Sequence, residues 1–182
     1  KVIMYAGALR GYKGLDYLVK AMPIIIKKVP NARLIIIGKG DKEEELKSIV
    51  ESLKLEKHVI FEGFVEQKKL FEYYSIADIF VLPSPTIEES FGMVAFEALA
   101  MEVPCIVSSG CGVSEVFEKE KINTVVKPMN TEAIAKKCIE LLSNEGLRKD
   151  LAMLGREKMN NYSWDNIAKQ YLDIYKIIIK KA

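Results

Sequence analysis

The sequence predicts an α/β protein of the doubly wound, Rossmann-like kind, in which helices cover both faces of a parallel six-stranded sheet. Six short apolar runs have the length of strands, and helical patterns separate them. The runs are apolar throughout, without alternating polar residues, as is typical of strands buried on both sides. Strands of this kind that alternate with helices indicate a parallel sheet between two helical layers.

The predicted elements follow one another in this order along the chain. The strands are Val2 to Ala6, Arg33 to Ile37, Val59 to Glu62, Ile79 to Leu82, Cys105 to Ser108 and Thr124 to Val126. Between them, apolar residues at helical spacing predict amphipathic helices. After the last strand come three further helices, Thr131 to Ser143, Gly146 to Asn160 and Trp164 to Lys180. We expect Trp164 to anchor the last helix by packing.

Length and composition limit the protein further. The 182 residues, 49% of them hydrophobic, suit one domain with a sizeable core. A net charge of +2 argues against nucleic acid as a partner. Three cysteines without metal-ligand spacing argue against a zinc site and favour a reducing cytoplasm. No apolar stretch approaches the roughly 20 residues of a membrane span. Since Lys1 leads at once into a buried-strand pattern, we expect a piece of a longer protein.

Ligands of doubly wound sheets bind beyond the carboxyl ends of the strands, where the strand order reverses. The loop after the fourth predicted strand is the richest in candidate residues. Glu89 and Glu97 lie eight residues apart, with Glu97 about one and a half turns into a helix that starts near Gly92, so both can face one crevice. Carboxylates accept hydrogen bonds from vicinal sugar hydroxyls. Amides of Gly92, Met93 and Val94 at the helix start can hold a diphosphate.

Each of these residues also has a simpler interpretation. Glu89 could be an acidic residue favoured by the helix dipole, and Glu97 could be a solvated helix residue. His58 is interpreted as packing or solvated rather than catalytic. The segment Ser109 to Glu115 reads equally well as a donor-site loop or as a strand-to-helix turn capped by Ser114 or Glu115.

These motifs resemble those of retaining glycosyltransferase family 4, whose two-domain fold is called GT-B. The matching residues are Pro83-Ser84, Glu89, Phe91-Gly92 and Glu97-Ala98-Leu99-Ala100, together with Ala6-Gly7-x-Leu9, Lys13-Gly14, Gly38-Lys39-Gly40, Phe61 to Val65, Ala77 to Leu82 and Ser163-Trp164. The resemblance covers the whole chain, residues 1–182. It implies the C-terminal, donor-binding half of such an enzyme, without the N-terminal acceptor domain.

The resemblance also implies roles for individual residues. Glu89 would contact the transferred sugar and Lys13 the phosphates, where charge develops as the glycosidic bond breaks. Glu97 would hold the ribose. The donor-binding set is completed by Gly7, Arg10, Gly38, Gly63, Phe64, Val65, Phe91, Gly92, Met93 and Val94. Gly63, Phe64 and Val65 would lie near the nucleobase. One departure is Ala8, which stands where the family usually has a phosphate-binding arginine, and Arg10 is the candidate replacement.

The function implied is transfer of a sugar from a UDP-, GDP- or ADP-sugar to an acceptor, with retention of configuration and without a metal or cofactor. We expect a cytoplasmic protein that is inactive without its N-terminal domain and meets a membrane only through that domain. Two alternatives remain. Ala8 would suit a non-catalytic nucleotide-binding or scaffold module. Gly38-Lys39-Gly40 after a strand suits an NAD-binding domain, although Glu43 replaces its third glycine.

Overall fold

The computed structural model describes residues 1–89 and 91–181, without the side chains of Lys180 and Lys181. Its sheet has six parallel strands in the spatial order β3-β2-β1-β4-β5-β6. They are β1 (Val2–Ala6), β2 (Arg33–Ile37), β3 (Val59–Gly63), β4 (Ile79–Leu82), β5 (Cys105–Ser108) and β6 (Val125–Val126). The predicted fold class and all six strands are confirmed. The bounds differ only in β3, which gains Gly63, and β6, which starts after Thr124.

Eight α-helices connect and cover these strands in the described part of the chain. They are α1 (Leu15–Lys28), α2 (Glu43–Ser52), α3 (Gln67–Ile76), α4 (Met93–Ala100), α5 (Val113–Lys119), α6 (Thr131–Ser143), α7 (Glu145–Met159) and α8 (Trp164–Lys181). Helix α7 begins one residue before the predicted start because the Asn144 side chain accepts a hydrogen bond from the Leu147 N–H at 3.0 Å.

The core lies on both faces of the sheet. Every residue of β4 and β5 is buried, and so is each residue of β1 and β2 after the first. Strands that are buried on two sides need apolar residues at every position, which explains the continuous apolar runs of the sequence. Helices α1 and α6 pack against each other and bury Leu18, Met22, Ile134 and Cys138.

The strand order reverses between β1 and β4, which are neighbours in the sheet. The connection after β1 leads to α1 and back to β2 on one side, while the chain after β4 continues to β5 on the other side. The loops after β1 and β4 thus begin side by side at the carboxyl edge of the sheet, where ligands of doubly wound sheets bind. This is the place where the predicted site residues Lys13 and Glu89 lie.

The last helix differs from its prediction. Trp164 has 82% of its surface exposed, so its expected role as a packing anchor is wrong. From Ala168 to Ile179 every residue of α8 is exposed. Tyr171, Ile174, Tyr175 and Ile178 recur at helical spacing and form an apolar face that no described element covers. Among the described residues, no helix is both long and apolar enough to cross a membrane.

Candidate functional site

The loops after β1 and β4 touch each other at the switch point. Gly14, with a φ of +64°, follows a short 3-10 turn at Gly11–Lys13 and begins α1. A Cβ at Gly14 would lie 2.5 Å from the carbonyl oxygen of Pro83, closer than any side chain tolerates. Glycine is therefore required for this contact, and the contact brings Lys13 to the β4 loop.

Lys13 and Glu89 form an ion pair across this junction. Their side chains are only 14% and 11% exposed. Both had been predicted from the sequence as site residues, and the structure brings them into direct contact. The ammonium of Lys13 also lies 5.0 Å from the centre of the Tyr12 ring, a cation–π contact.

Further hydrogen bonds fix the loop that carries Glu89. The Glu89 N–H donates to the Thr86 carbonyl at 3.2 Å, and the Glu89 carbonyl accepts from the Gly112 N–H of the β5–α5 loop at 3.0 Å. The buried Ser84 hydroxyl lies 3.5 Å from Oε2 of Glu89. Loops that follow β1, β4 and β5 thus meet at one residue, Glu89: Lys13 binds its carboxylate and Gly112 binds its backbone carbonyl. Ser90, the next residue of the motif, lies outside the described residues.

Helix α4 begins directly after this loop, as predicted. Gly92 precedes it with a φ of +61°, and a Cβ there would meet Val113 Cγ1 at 2.9 Å and Leu82 Cδ2 at 3.0 Å. No larger residue fits this position without moving its neighbours. The N–H groups of Met93 and Val94 lie in the first turn, where the helix supplies no acceptors, so they suit an anion.

Glu97 lies in the second turn of α4 and is partly buried. The hydroxyl of Tyr74 lies 3.2 Å from Glu97 Oε2 and 3.2 Å from the Val94 carbonyl oxygen. Burial first and the charge of Glu97 second raise the pKa of Tyr74 far above its usual value, so the phenol stays protonated as a donor. The buried Tyr74 therefore binds Glu97 from the side of the protein interior, and Glu97 is not a freely solvated side chain. That both glutamates face one crevice stays a prediction.

Other predicted site residues lie at the same edge of the sheet. Phe91 is 56% exposed, and its ring stacks on Phe96 with centroids 5.2 Å apart. Phe64, at the end of β3, is 75% exposed, while Val65 packs partly against the core. The exposed ring of Phe64 is available to a base or another flat group, which is compatible with its expected place near the nucleobase.

Close packing explains the two glycines in the loop after β2, Gly38 and Gly40. A Cβ at Gly38 would lie 1.9 Å from the Gly7 carbonyl oxygen, and one at Gly40 would lie 2.2 Å from that of Leu9. These glycines let the β2 loop pack against the β1 loop. Their proximity to a nucleotide, like that of Gly7 and Gly63, stays a prediction.

Arg10 lies in the loop after β1, three residues before Lys13. It lines a crevice of about 210 Å³ with Asp16, Lys42, Glu45 and Leu46. The assignment of Arg10 to donor phosphates stays a prediction, with less geometric support than that of Lys13.

Two minor predictions concern residues near this edge and beyond it. The cap of α5 is Gly112, without a side-chain hydrogen bond, so capping by Ser114 or Glu115 is wrong. His58 lies at the opposite edge of the sheet, with Nδ1 2.9 Å from the Ala32 carbonyl oxygen, in keeping with a packing role.

No metal-ligand cluster of three or more His, Cys, Asp or Glu side chains occurs within residues 1–89 and 91–181. The three cysteines are buried free thiols. Burial, the largest influence, raises the pKa of Cys111 to about 11, so this thiol is protonated at neutral pH and is a poor nucleophile.

The sequence did not point to two buried tyrosines that support the site. Tyr74 holds Glu97, and the Tyr5 hydroxyl donates to the Ala8 carbonyl at 3.0 Å, which shapes the loop that leads to Lys13. Burial, the charge of Glu89 and Tyr12 raise the pKa of Tyr5 far above its usual value. In a sequence, a tyrosine in an apolar strand or on a helix face is interpreted as a core residue. The hydrogen bonds of its hydroxyl group can be recognised only in the three-dimensional structure.

A six-stranded Rossmann-like sheet with these C-terminal helices has the architecture of the C-terminal domains of GT-B glycosyltransferases. The family model described as glycosyl transferases group 1 matches residues 1–158. The chain belongs to this family.

Three similar proteins show how much of a longer chain is covered. An uncharacterized glycosyltransferase of Methanocaldococcus jannaschii is 38% identical over 99% of this chain and 46% of its own length. A GDP-mannose-dependent alpha-(1-6)-phosphatidylinositol monomannoside mannosyltransferase of Mycobacterium tuberculosis is 31% identical over 88% of this chain and 43% of its own length. The crystal structure of the C-terminal domain of a group 1 glycosyl transferase from Francisella tularensis is 28% identical, with a TM-score of 0.79, and covers 88% of this chain and 84% of that one. The chain spans less than half the length of the two curated relatives.

Proposed function

We propose that residues 1–182 form the donor-binding domain of a retaining, family 4 glycosyltransferase that uses a nucleoside diphosphate sugar. The observation that carries this proposal is the Lys13–Glu89 ion pair at the switch point of the sheet, formed by the loop that leads into helix α4. A cation, a carboxylate and the backbone amides at a helix start match a ligand that contains a diphosphate flanked by hydroxyl groups.

The chemistry assigned to each group follows from its charge. As the glycosidic bond to the diphosphate breaks, negative charge grows on the leaving phosphate oxygens. The ammonium of Lys13 and the amides of Met93 and Val94 would stabilise that charge more strongly in the transition state than in the ground state. In this proposal they do so without a metal ion or cofactor.

The two carboxylates would bind hydroxyl groups at opposite ends of the donor. Glu89 would accept hydrogen bonds from the transferred sugar, and Glu97, oriented by Tyr74, would accept those of the ribose. Phe64 and Val65 would lie by the base. Retention of configuration is proposed from the resemblance of the E-x7-E segment alone.

The donor class is supported by family membership and by the GDP-mannose dependence of the mycobacterial relative. We propose a UDP-, GDP- or ADP-hexose. The buried free thiols suit a reducing compartment, which supports a cytoplasmic location.

The acceptor would bind to a second, N-terminal domain. The curated relatives are about twice as long as this chain, which leaves room for such a domain. The apolar face of α8, with Tyr171, Ile174, Tyr175 and Ile178 exposed, is larger than scattered surface residues explain and supports a protein contact there. Catalysis would need both domains, so this unit by itself would bind a donor without transferring its sugar.

A thermal unfolding screen tests the proposal directly. A ligand that binds only the folded state raises the unfolding temperature by mass action. We expect one of UDP-glucose, GDP-mannose and ADP-glucose to stabilise the chain, and NADH to have no effect. Stabilisation by NADH alone would replace this function by that of a dinucleotide-binding domain.

A non-catalytic nucleotide-binding module is the second candidate, because Ala8 removes a cation that the family usually has at the phosphates. Joining the chain to an N-terminal half from a similar enzyme would separate the two candidates. Sugar transfer or donor hydrolysis supports the enzyme. Donor binding with no turnover of any donor supports the module.

A further inference from the structure

The two side chains assigned to the donor bind each other in the structure. Lys13 and Glu89 are paired, and both are almost shielded from water. Among the described residues, the only other hydrogen-bonding side chain at the Glu89 carboxylate is Ser84, whose hydroxyl is 3.5 Å from Oε2. Lys13 is thus the main compensation for the charge of Glu89.

A diphosphate that recruits Lys13 therefore has an effect on Glu89. The ammonium moves toward the phosphate oxygens, and a nearly buried carboxylate loses its counterion. An unpaired charge has a higher free energy when it is buried than when it is in water. Any ligand that draws Lys13 away must overcome this cost or supply a new partner for Glu89.

Nucleoside diphosphate sugars and nucleoside diphosphates differ in this respect. The hydroxyl groups of a sugar can donate hydrogen bonds to Glu89 and replace Lys13. A free nucleoside diphosphate has no group at that position.

We propose that the Lys13–Glu89 ion pair competes with the free nucleoside diphosphate for Lys13 and so weakens its binding, whereas sugar hydroxyls that bind Glu89 offset this cost for the sugar-bearing donor. This inference rests on the proposed function and adds to it a preference between donor and product. Once the sugar has left, Glu89 attracts Lys13 again, the hold on the diphosphate weakens, and the product is released faster.

The test compares Glu89→Gln with the wild-type chain and with Glu88→Gln. Glutamine keeps the size of Glu89 and removes its charge, so Lys13 is free for the phosphates. Glu88 is an exposed carboxylate on the same loop, and Glu88→Gln makes the same change in net charge away from the pair. Titration calorimetry would use three ligand pairs: UDP with UDP-glucose, GDP with GDP-mannose, and ADP with ADP-glucose.

For the pair that binds, we expect Glu89→Gln to bind the free nucleoside diphosphate about fivefold to tenfold more tightly than the wild type does. The preference for the sugar-bearing ligand falls by a similar factor. Glu88→Gln changes either affinity by less than about twofold. Unchanged or weaker binding of the free diphosphate by a folded Glu89→Gln protein overturns the inference.

Failure of the proposed function has a different signature, because then the wild-type chain binds no member of any pair. Circular dichroism verifies that Glu89→Gln is folded. Lys13→Met gives an independent measurement, because it removes the ion pair. In a Lys13→Met background Glu89→Gln has no lysine to release, so it should change the affinity for the free nucleoside diphosphate by less than about twofold. Tightening as large as in the wild-type background also overturns the inference.

Discussion

Strand β4 has a carboxylate near each end, and their surroundings differ. Asp78, just before the strand, is 2.8 Å from Lys1 Nζ, 2.8 Å from the Val2 N–H and 3.3 Å from Arg148 Nη2. Glu89, in the loop after the strand, has Lys13 and the more distant Ser84 hydroxyl. A carboxylate has about four acceptor positions.

The comparison separates a structural carboxylate from a binding one. Asp78 accepts hydrogen bonds from Lys1 and Val2 and forms an ion pair with Arg148, so its partners come from two distant parts of the chain. Arg148 is itself bound to the Leu141 and Leu142 carbonyl oxygens at 2.7 and 3.0 Å. These bonds join β1, β4 and α7 without a ligand. Among the described residues, Glu89 has a single cationic partner, Lys13, so its carboxylate keeps acceptor capacity that a ligand can use.

The largest effect that sharpens this contrast is expected from Asp78→Ala. It removes the anion that faces the nearly buried Arg148, so we expect the free energy of unfolding to fall by about 2 to 3 kcal/mol. Urea unfolding measures this. Asp173→Ala, which removes an exposed aspartate paired with Lys176 on α8, is the control, with an expected change below about 0.5 kcal/mol. Equal losses in both variants would contradict a structural role for Asp78.

The next effect concerns the second site carboxylate. If Glu97 binds ribose, Glu97→Gln should weaken nucleoside diphosphate binding about tenfold, which is about 1.4 kcal/mol. Tyr74→Phe keeps the ring and removes the hydroxyl that holds Glu97, so a loss of about threefold is expected. Tyr175→Phe is the matched control, because Tyr175 is an exposed tyrosine on α8, outside the proposed site.

A readout specific to the ribose distinguishes orientation of Glu97 from loose packing. Both Glu97→Gln and Tyr74→Phe should reduce the discrimination between a nucleoside diphosphate and its 2′-deoxy form. Intact discrimination with weaker binding of both forms would assign Tyr74 to packing alone.

A smaller, pH-dependent effect is expected at Asp78. Burial works against ionisation of this group, but hydrogen bonds from Lys1 and Val2 and the charges of Lys1 and Arg148 outweigh it, so the pKa of Asp78 is lowered. The folded state then binds fewer protons than the unfolded chain. The contribution of Asp78 to stability is complete above its pKa in the unfolded chain, about 4. This contribution is lost as the pH falls through the lower pKa that Asp78 has in the folded protein.

Urea unfolding of the wild type and Asp78→Asn over this range measures the effect. The difference in stability between the two proteins should shrink as the pH falls below about 4. A constant difference down to about pH 2 would show that the pairing of Asp78 does not depend on its charge.

The smallest effect is expected at Arg10. Because Arg10 lines the crevice with Asp16, Lys42 and Glu45, Arg10→Ala should change nucleoside diphosphate affinity less than about twofold. Lys13→Ala provides the comparison and should cause a larger loss. A loss at Arg10 that equals the loss at Lys13 would show that Arg10 replaces the arginine missing at Ala8.

The sequence predicted the fold nearly completely because its signals are local. A strand buried on both faces needs apolar residues at every position, so β1, β2, β4 and β5 could be delimited to the residue. The start of α4 followed from Gly92. The failure at Trp164 has a physical reason as well: helical periodicity shows that a helix has an apolar face, but it does not show what covers that face.

The site was predictable as a set of residues but not as an arrangement. Spacing and resemblance identified Lys13, Glu89 and Glu97. The ion pair between Lys13 and Glu89 depends on the contact of Gly14 with Pro83, two residues that are 69 positions apart in the sequence. Tyr74 supports Glu97 from helix α3, where its sequence context has no motif.

A crystal structure of the chain with the best-binding nucleoside diphosphate sugar tests the central claim most directly. The proposal predicts a diphosphate in hydrogen-bond contact with the Met93 and Val94 amides and with Lys13, and Glu89 bonded to sugar hydroxyls in place of Lys13. Both glutamates should then line one occupied crevice. A ligand bound elsewhere, or at this edge with Glu89 and Glu97 directed away from it, would contradict the account.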